Sequence, residues 1–136
     1  MIYHIVPEEE YLKSAAGEHY IPNNFNDFGF VHCAFDVSVV AVADDYYSKV
    51  KDKLLLLKIN PERLKSDVRY EEAVPEKGSG TGHLNTSSIF PHVYGPVDNE
   101  AVEGIGELGR ERGKYSWPVN FISLREYLET NKRRRE

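Results

Sequence analysis

Cysteine is nearly missing from this chain. Cys33 is the only one among 136 residues, so an internal disulfide is excluded. That suits a reducing compartment without demanding one. Long apolar runs are missing too, and none approaches the ~18 residues of a membrane-spanning helix. Met1 opens a short apolar run that stops at Pro7 and Glu8-Glu9-Glu10. A signal peptide needs a basic start and a longer apolar core, so the expectation is a soluble cytoplasmic protein with no leader. Repeats, linkers and low-complexity tracts are absent. The glycine-rich stretch Gly78–Gly82 has neither dinucleotide-binding nor P-loop spacing. It reads as a surface loop, with a lid over the following strand as its functional alternative. No two histidines stand one helical turn apart. A zinc site from His4, His32 and His92 is conceivable by ligand chemistry, but it matches no local zinc pattern, and no metal is expected.

What remains is enough for a single domain. A chain of this size buries roughly 68–70% of its unfolded surface without help from a metal or disulfide. The net charge is −5, although four consecutive cations, Lys132 to Arg135, stand just before the final Glu136. The rest is therefore more acidic still and repels bulk nucleic acid, whose nonspecific binding needs phosphate neutralisation. The basic tail reads as a solvated helix end at the negative pole of the helix dipole, in preference to a nucleic-acid or targeting patch.

Along the chain, residues 1–6 form a first strand. Pro7 and the three glutamates start a helix that Gly17 stops. Residues 19–28 have a loop composition, and 29–34 form a second strand. Asp36 caps a helix running to about Val50 on an apolar face of valines and tyrosines. The continuous leucines 54–57 predict a central strand covered on both faces. Asn60-Pro61 opens a short helix, and a strand follows over 68–73. Residues 90–97 form the next strand, placed at an edge or a bulge because Pro91 cannot donate a ladder bond. The glycines in 101–108 favour strand there, and 109–113 is a charged turn. Ser123 with Glu126 is a capping box for a C-terminal helix.

Three of the five histidines sit inside strand-like runs: His4, His32 and His92. A neutral imidazole offers one donor and one acceptor and suits hydroxyls and phosphates. A polar group on a buried strand costs free energy unless paired, which favours a shared site for the set. For any single histidine, a satisfied core position remains the simpler reading. Glu71 is the candidate partner for a ribose-like diol, or a general base. Tyr3, Tyr20 and Tyr94 are candidates to stack on a flat ring or donate to it. Phe90 and Tyr94 share the His92 face in a regular strand and would flank its ring. Cys33 is read as a buried thiol. Its neighbour His32 points to the opposite face of the strand and cannot easily deprotonate it.

The succession Ile2-Tyr3-His4-Ile5, Tyr20-Ile21-Pro22, Gly29-Phe30-Val31-His32-Cys33, Tyr70-Glu71 and Phe90-Pro91-His92-Val93-Tyr94-Gly95-Pro96 resembles the domain of unknown function 952 family over residues 1–108. Residues 109–136 would be an extension with a helix and the basic tail. The resemblance implies an ADP-ribosyltransferase-like α+β domain with a bent, split, mostly antiparallel sheet, flanking helices and a cleft. It implies a nucleotide-like or ribose-phosphate ligand, with NAD as candidate substrate, and an ADP-ribosyltransferase-like or phosphotransferase-like enzyme. In that frame His4 takes the first ligand-gripping position and Glu71 the last, and His32 and His92 line the cleft. With the tyrosines added from the residues themselves, the expected ligand-binding set is His4, Tyr20, His32, His92 and Tyr94, and the expected catalytic pair is Glu71 and His92. A non-catalytic small-molecule or protein-binding module on the same fold is the alternative. Ala34 stands where the family commonly has serine, Ser38 where it often has glutamine, and Tyr11 where it tends to have tryptophan.

Overall fold

The structure, a computed structural model, describes residues 1–72 and 89–135. The Gly78–Gly82 stretch lies outside them. In chain order the elements are β1 (Ile2–Pro7), α1 (Glu8–Leu12), β2 (His19–Tyr20), α2 (Phe25–Phe28), β3 (Val31–His32), α3 (Val39–Tyr46), β4 (Leu54–Ile59), β5 (Asp67–Glu72), β6 (Ile89–Tyr94), β7 (Val97–Asp98), β8 (Val102–Glu107), β9 (Gly109–Glu111), β10 (Lys114–Ser116) and α4 (Leu124–Arg135). This is an α+β domain, and among the described residues every strand pairing is antiparallel.

Two three-stranded sheets carry the architecture, ordered β1-β4-β8 and β3-β6-β5. Among the described residues one bridge joins them: Tyr3 and Ala34 exchange backbone bonds of 2.9 and 2.7 Å. The strands bearing His4 and His92 therefore belong to different sheets, stitched at that bridge. β4 is the centre of the first sheet, as the leucine run predicts. Leu55, Leu57 and Ile59 enter one apolar cluster and Leu54 and Leu56 the other. Leu54 to Leu57 are each no more than 2% exposed. Full burial of such a side chain is worth about 1.5–3 kcal/mol before conformational entropy is counted.

Pro91 departs from the edge-strand expectation. β6 is the central strand of its sheet, and Pro91 pairs with Tyr70 of β5. The Pro91 carbonyl accepts from Cys33 N at 3.0 Å, so its nitrogen faces that side also. The Cys33 carbonyl opposite it therefore receives no N–H from Pro91, and β3 ends at His32, one residue short of that pair.

Both long helices are shorter than their sequence patterns suggest. α1 ends at Leu12, and the carbonyls of Ser14 and Gly17 accept from Asn99 Nδ2 at 3.0 and 2.9 Å. α3 begins after a 3-10 turn at Asp36–Ser38 and stops at Tyr46. Beyond it, the Tyr47 carbonyl accepts from Tyr115 Oη and those of Ser48 and Val50 from Arg110. The loop expected over 19–28 contains β2 and α2. The charged turn at 109–113 is a hairpin of β9 and β10 across Arg112 and Gly113, both at positive φ (54° and 78°), the conformation of a tight two-residue hairpin turn. The glycines of β8 serve packing. A Cβ at Gly106 would meet Pro118 Cβ at 2.7 Å, because the chain before α4 crosses there and Ile122 bridges to Ile105. Ser123 Oγ accepts from Glu126 N at 3.1 Å, and Asn60 Oδ1 from Glu62 N at 3.0 Å. Both caps follow the sequence signals.

Candidate functional site

The site begins at the seam between the sheets. Gly29 closes α2 in the left-handed region (φ 79°), which turns the chain into Phe30 and β3. The Tyr3–Ala34 bridge then lays β1 against that segment. His4 lies beside it, with its Nδ1 2.6 Å from the His32 carbonyl. A carbonyl only accepts, so Nδ1 carries the hydrogen and Nε2 is the acceptor. Nε2 lies 2.8 Å from Tyr20 Oη, which therefore donates to it. Tyr20 Oη also lies 3.5 Å from Glu10 Oε2, and Asn23 N donates to that same oxygen at 2.9 Å.

Burial acts on both His4 and Tyr20. It lowers His4 to about 4, against a smaller opposing effect of the His32 carbonyl. It raises the Tyr20 phenol, with the nearby Glu10 charge adding to the rise. The imidazole is thus neutral at physiological pH. His4, Glu10, Tyr20, Asn23, His32 and Tyr47 line a cavity of about 150 Å³. A larger hollow of about 320 Å³ opens beside His19, Lys65 and Asp98, away from the predicted residues.

A second cluster begins one strand over. His32 and His92 are register partners, with ring centroids 5.8 Å apart. His92 is 1% exposed, and its Nδ1 lies 2.9 Å from Glu71 Oε1. Tyr94 Oη donates to that same oxygen at 2.5 Å. The Tyr94 hydroxyl, and after it the His92 ring N–H, hold the Glu71 carboxyl below the usual range. Glu71 in turn raises the Tyr94 phenol. The Arg69 guanidinium lies over the Tyr94 ring at 4.4 Å and is anchored by Asp67 at 2.9 Å.

The aromatic wall of His92 differs from expectation. Phe30 stacks on it at 4.0 Å with planes 23° apart, whereas Phe90 turns into the cluster of Tyr3, Ile5 and Leu56. Cys33 packs beside Val31, and burial pushes its thiol up, away from nucleophilic use. Among the described residues no group of three His, Cys, Asp or Glu side chains is placed to hold a metal ion. No described helix is long and apolar enough to cross a membrane.

Six of the seven candidate residues thus fall into two neighbouring groups that meet at the His32–His92 ring contact, whereas Tyr3 packs against Trp117 and Phe121. His4 and Tyr20 sit at the cavity, His32 at the junction, and His92, Glu71 and Tyr94 beyond it. Glu10 and Phe30 are additions. Glu10 reads in sequence as a helix-dipole charge, and the only hint of another role is its spacing, one helical turn past the Pro7 that ends β1.

Comparison with known proteins bears on the fold. The crystal structure of protein CC0527 from Caulobacter crescentus matches with a TM-score of 0.68 at 21% identity, covering 85% of this chain and 92% of that one. A double-mutant form of it matches at 0.67 and 20%, with the same coverage. At that identity the likeness concerns the fold alone. No curated protein matches the chain. The family described as "Protein of unknown function (DUF952)" matches residues 5–105, and the chain belongs to it.

Proposed function

We propose that the His4 cavity and the His92–Glu71 cluster form one cleft for a nucleotide or ribose-phosphate ligand, with ADP-ribosyl transfer from NAD as its chemistry. One observation carries this reading. Glu71 accepts two hydrogen bonds on Oε1, from His92 and Tyr94, which fix it as a charged carboxylate. Oε2 takes part in neither bond. A carboxylate held in this way stabilises the positive charge that develops on a ribose ring as its glycosidic bond breaks. The cavity of about 150 Å³ suits one ring of such a ligand, since drug-sized sites run roughly 300–1,000 Å³. The remainder would lie outward along His32 and Tyr94.

Isothermal titration with NAD, ADP-ribose and nicotinamide tests the binding claim. Saturable one-to-one binding of NAD or ADP-ribose is the expected result, and no heat with any of the three removes the proposal. Mass spectrometry then looks for released nicotinamide, with His92→Gln and Glu71→Gln expected to slow release by about 10²–10⁴. Binding without release leaves the second reading, a non-catalytic binding module on the same cleft. Ala34 speaks for that module: it is buried at the sheet junction, where the family commonly carries a hydroxyl.

A further inference from the structure

We infer that the His4 cavity takes the donor-bearing or cationic end of its ligand, and that Glu10 selects that end. The inference rests on reading the cavity as a ligand site and adds which part of the ligand enters it. Among the described residues Glu10 is the one carboxylate that lines the cavity, and none of the described lysines or arginines lines it. Asn23 N fixes the direction of the carboxylate by holding Oε2 at 2.9 Å.

The donors of His4 and Tyr20 are already committed. His4 gives its Nδ1 hydrogen to the His32 carbonyl and accepts the Tyr20 hydrogen at Nε2. Tyr20 has a single hydrogen to give, and His4 Nε2, at 2.8 Å, lies closer than Glu10 Oε2, at 3.5 Å. A carboxylate has about four acceptor positions, so Glu10 keeps capacity for a ligand N–H or O–H. A phosphate would face this charge with no lining cation to offset it, and like charges repel strongly at such range. Its place is outside the cavity. The volume matches a single six-membered ring, since an engineered apolar cavity of about 150 Å³ in another protein holds benzene. The ligand end that fits is a small ring bearing a positive charge, an amide N–H or hydroxyls.

Three probes test this in the intact protein: 1-methylnicotinamide, a permanent cation; nicotinamide, its neutral near-isostere; and ribose 5-phosphate. Each is titrated into protein with labelled histidine and tyrosine, and the His4 and Tyr20 resonances are followed by NMR. Glu10 is half-buried, so solvent tempers its field, and the cation should bind about five- to tenfold more tightly than nicotinamide. Glu10→Gln still accepts from Asn23 N and should bring that ratio close to one. Glu10→Asp should keep a preference for the cation. Equal affinities for the two rings in the unaltered protein overturn the inference and leave the cavity a ligand site. The inference also falls if the ratio survives Glu10→Gln, or if ribose 5-phosphate moves the His4 signal most. Failure of all three probes to move either resonance removes the cavity reading and the inference together.

Discussion

His4 and His92 are the same side chain at the middle of two antiparallel strands, and they end in opposite surroundings. Both ring nitrogens of His4 meet neutral oxygens, a peptide carbonyl and a phenol. His92 meets a carboxylate, with a phenyl ring stacked on its face. Behind His4 lie the fully buried Tyr20 and Tyr11, whose rings pack edge to face. Beside His92, Glu71 and Arg69 reach solvent, with side chains 38% and 58% exposed. The first region combines polarity with core packing, so disturbing it should cost stability. The second holds charge at the surface, so disturbing it should alter titration and leave the fold standing.

The sharpest separation comes from two tyrosines. Tyr20→Ala opens a void in the core and strips the His4 acceptor of its donor, and should cost about 3–5 kcal/mol in urea unfolding. Tyr94→Ala removes a half-buried ring from the sheet surface and should cost about 1 kcal/mol. Equal losses would erase the distinction between the two regions.

A smaller effect is expected from pH. As pH falls through 6.5, an unfolded His4 takes up a proton that the folded one refuses until about 4. The unfolded state then binds more protons, so stability falls with pH across that window and is fully present above it. The loss is at most about 3 kcal/mol. His4→Gln should flatten this part of the stability profile, and an unchanged slope between pH 4 and 6.5 would place the titration elsewhere. Glu71 works in a lower window. Its folded value is depressed, so its contribution holds above the ordinary glutamate value and disappears as pH falls through the lower one.

The smallest effect concerns Tyr94. Glu71→Gln removes the negative acceptor that raises this phenol, so the Tyr94 titration should move back toward the ordinary tyrosine value. Ring-labelled NMR would resolve it among the nine tyrosines. A titration that stays put would show that the two side chains do not meet in solution.

The sequence is informative wherever a signal is local. The unbroken leucines of β4, the Ser123–Glu126 cap and the Asn60 cap each follow from neighbours a few residues apart. The faces of β3 and β6 follow from alternation, which puts His32 and His92 on one side and Val31, Cys33 and Val93 on the other. Partners are another matter. Nothing in two-residue β2 announces its pairing with β7, in which His19 meets Asp98 and Tyr20 meets Val97. Pro91 misleads because a proline removes one ladder donor on one side only: β6 stays central, and the regular β3 ladder ends beside Pro91. The helix ends were set by acceptor demands from Asn99, Arg110 and Tyr115, which no local pattern contains. Glu10 was hidden for a related reason: its role depends on the Asn23 and Tyr20 loop folding back over α1.

Asn99 has a consequence for the order of assembly. It accepts from Tyr11 Oη, donates to the carbonyls of Ser14 and Gly17, and takes the Glu18 carbonyl with its own backbone N–H. Four groups within the first 18 residues thus find their partner on one residue more than 80 positions later. During synthesis, the turn after α1 has no such partner until residue 99 has emerged. A shorter delay applies to β1, which waits for β4. The N-terminal strand and the cavity it lines therefore close late, as contacts of long sequence separation do.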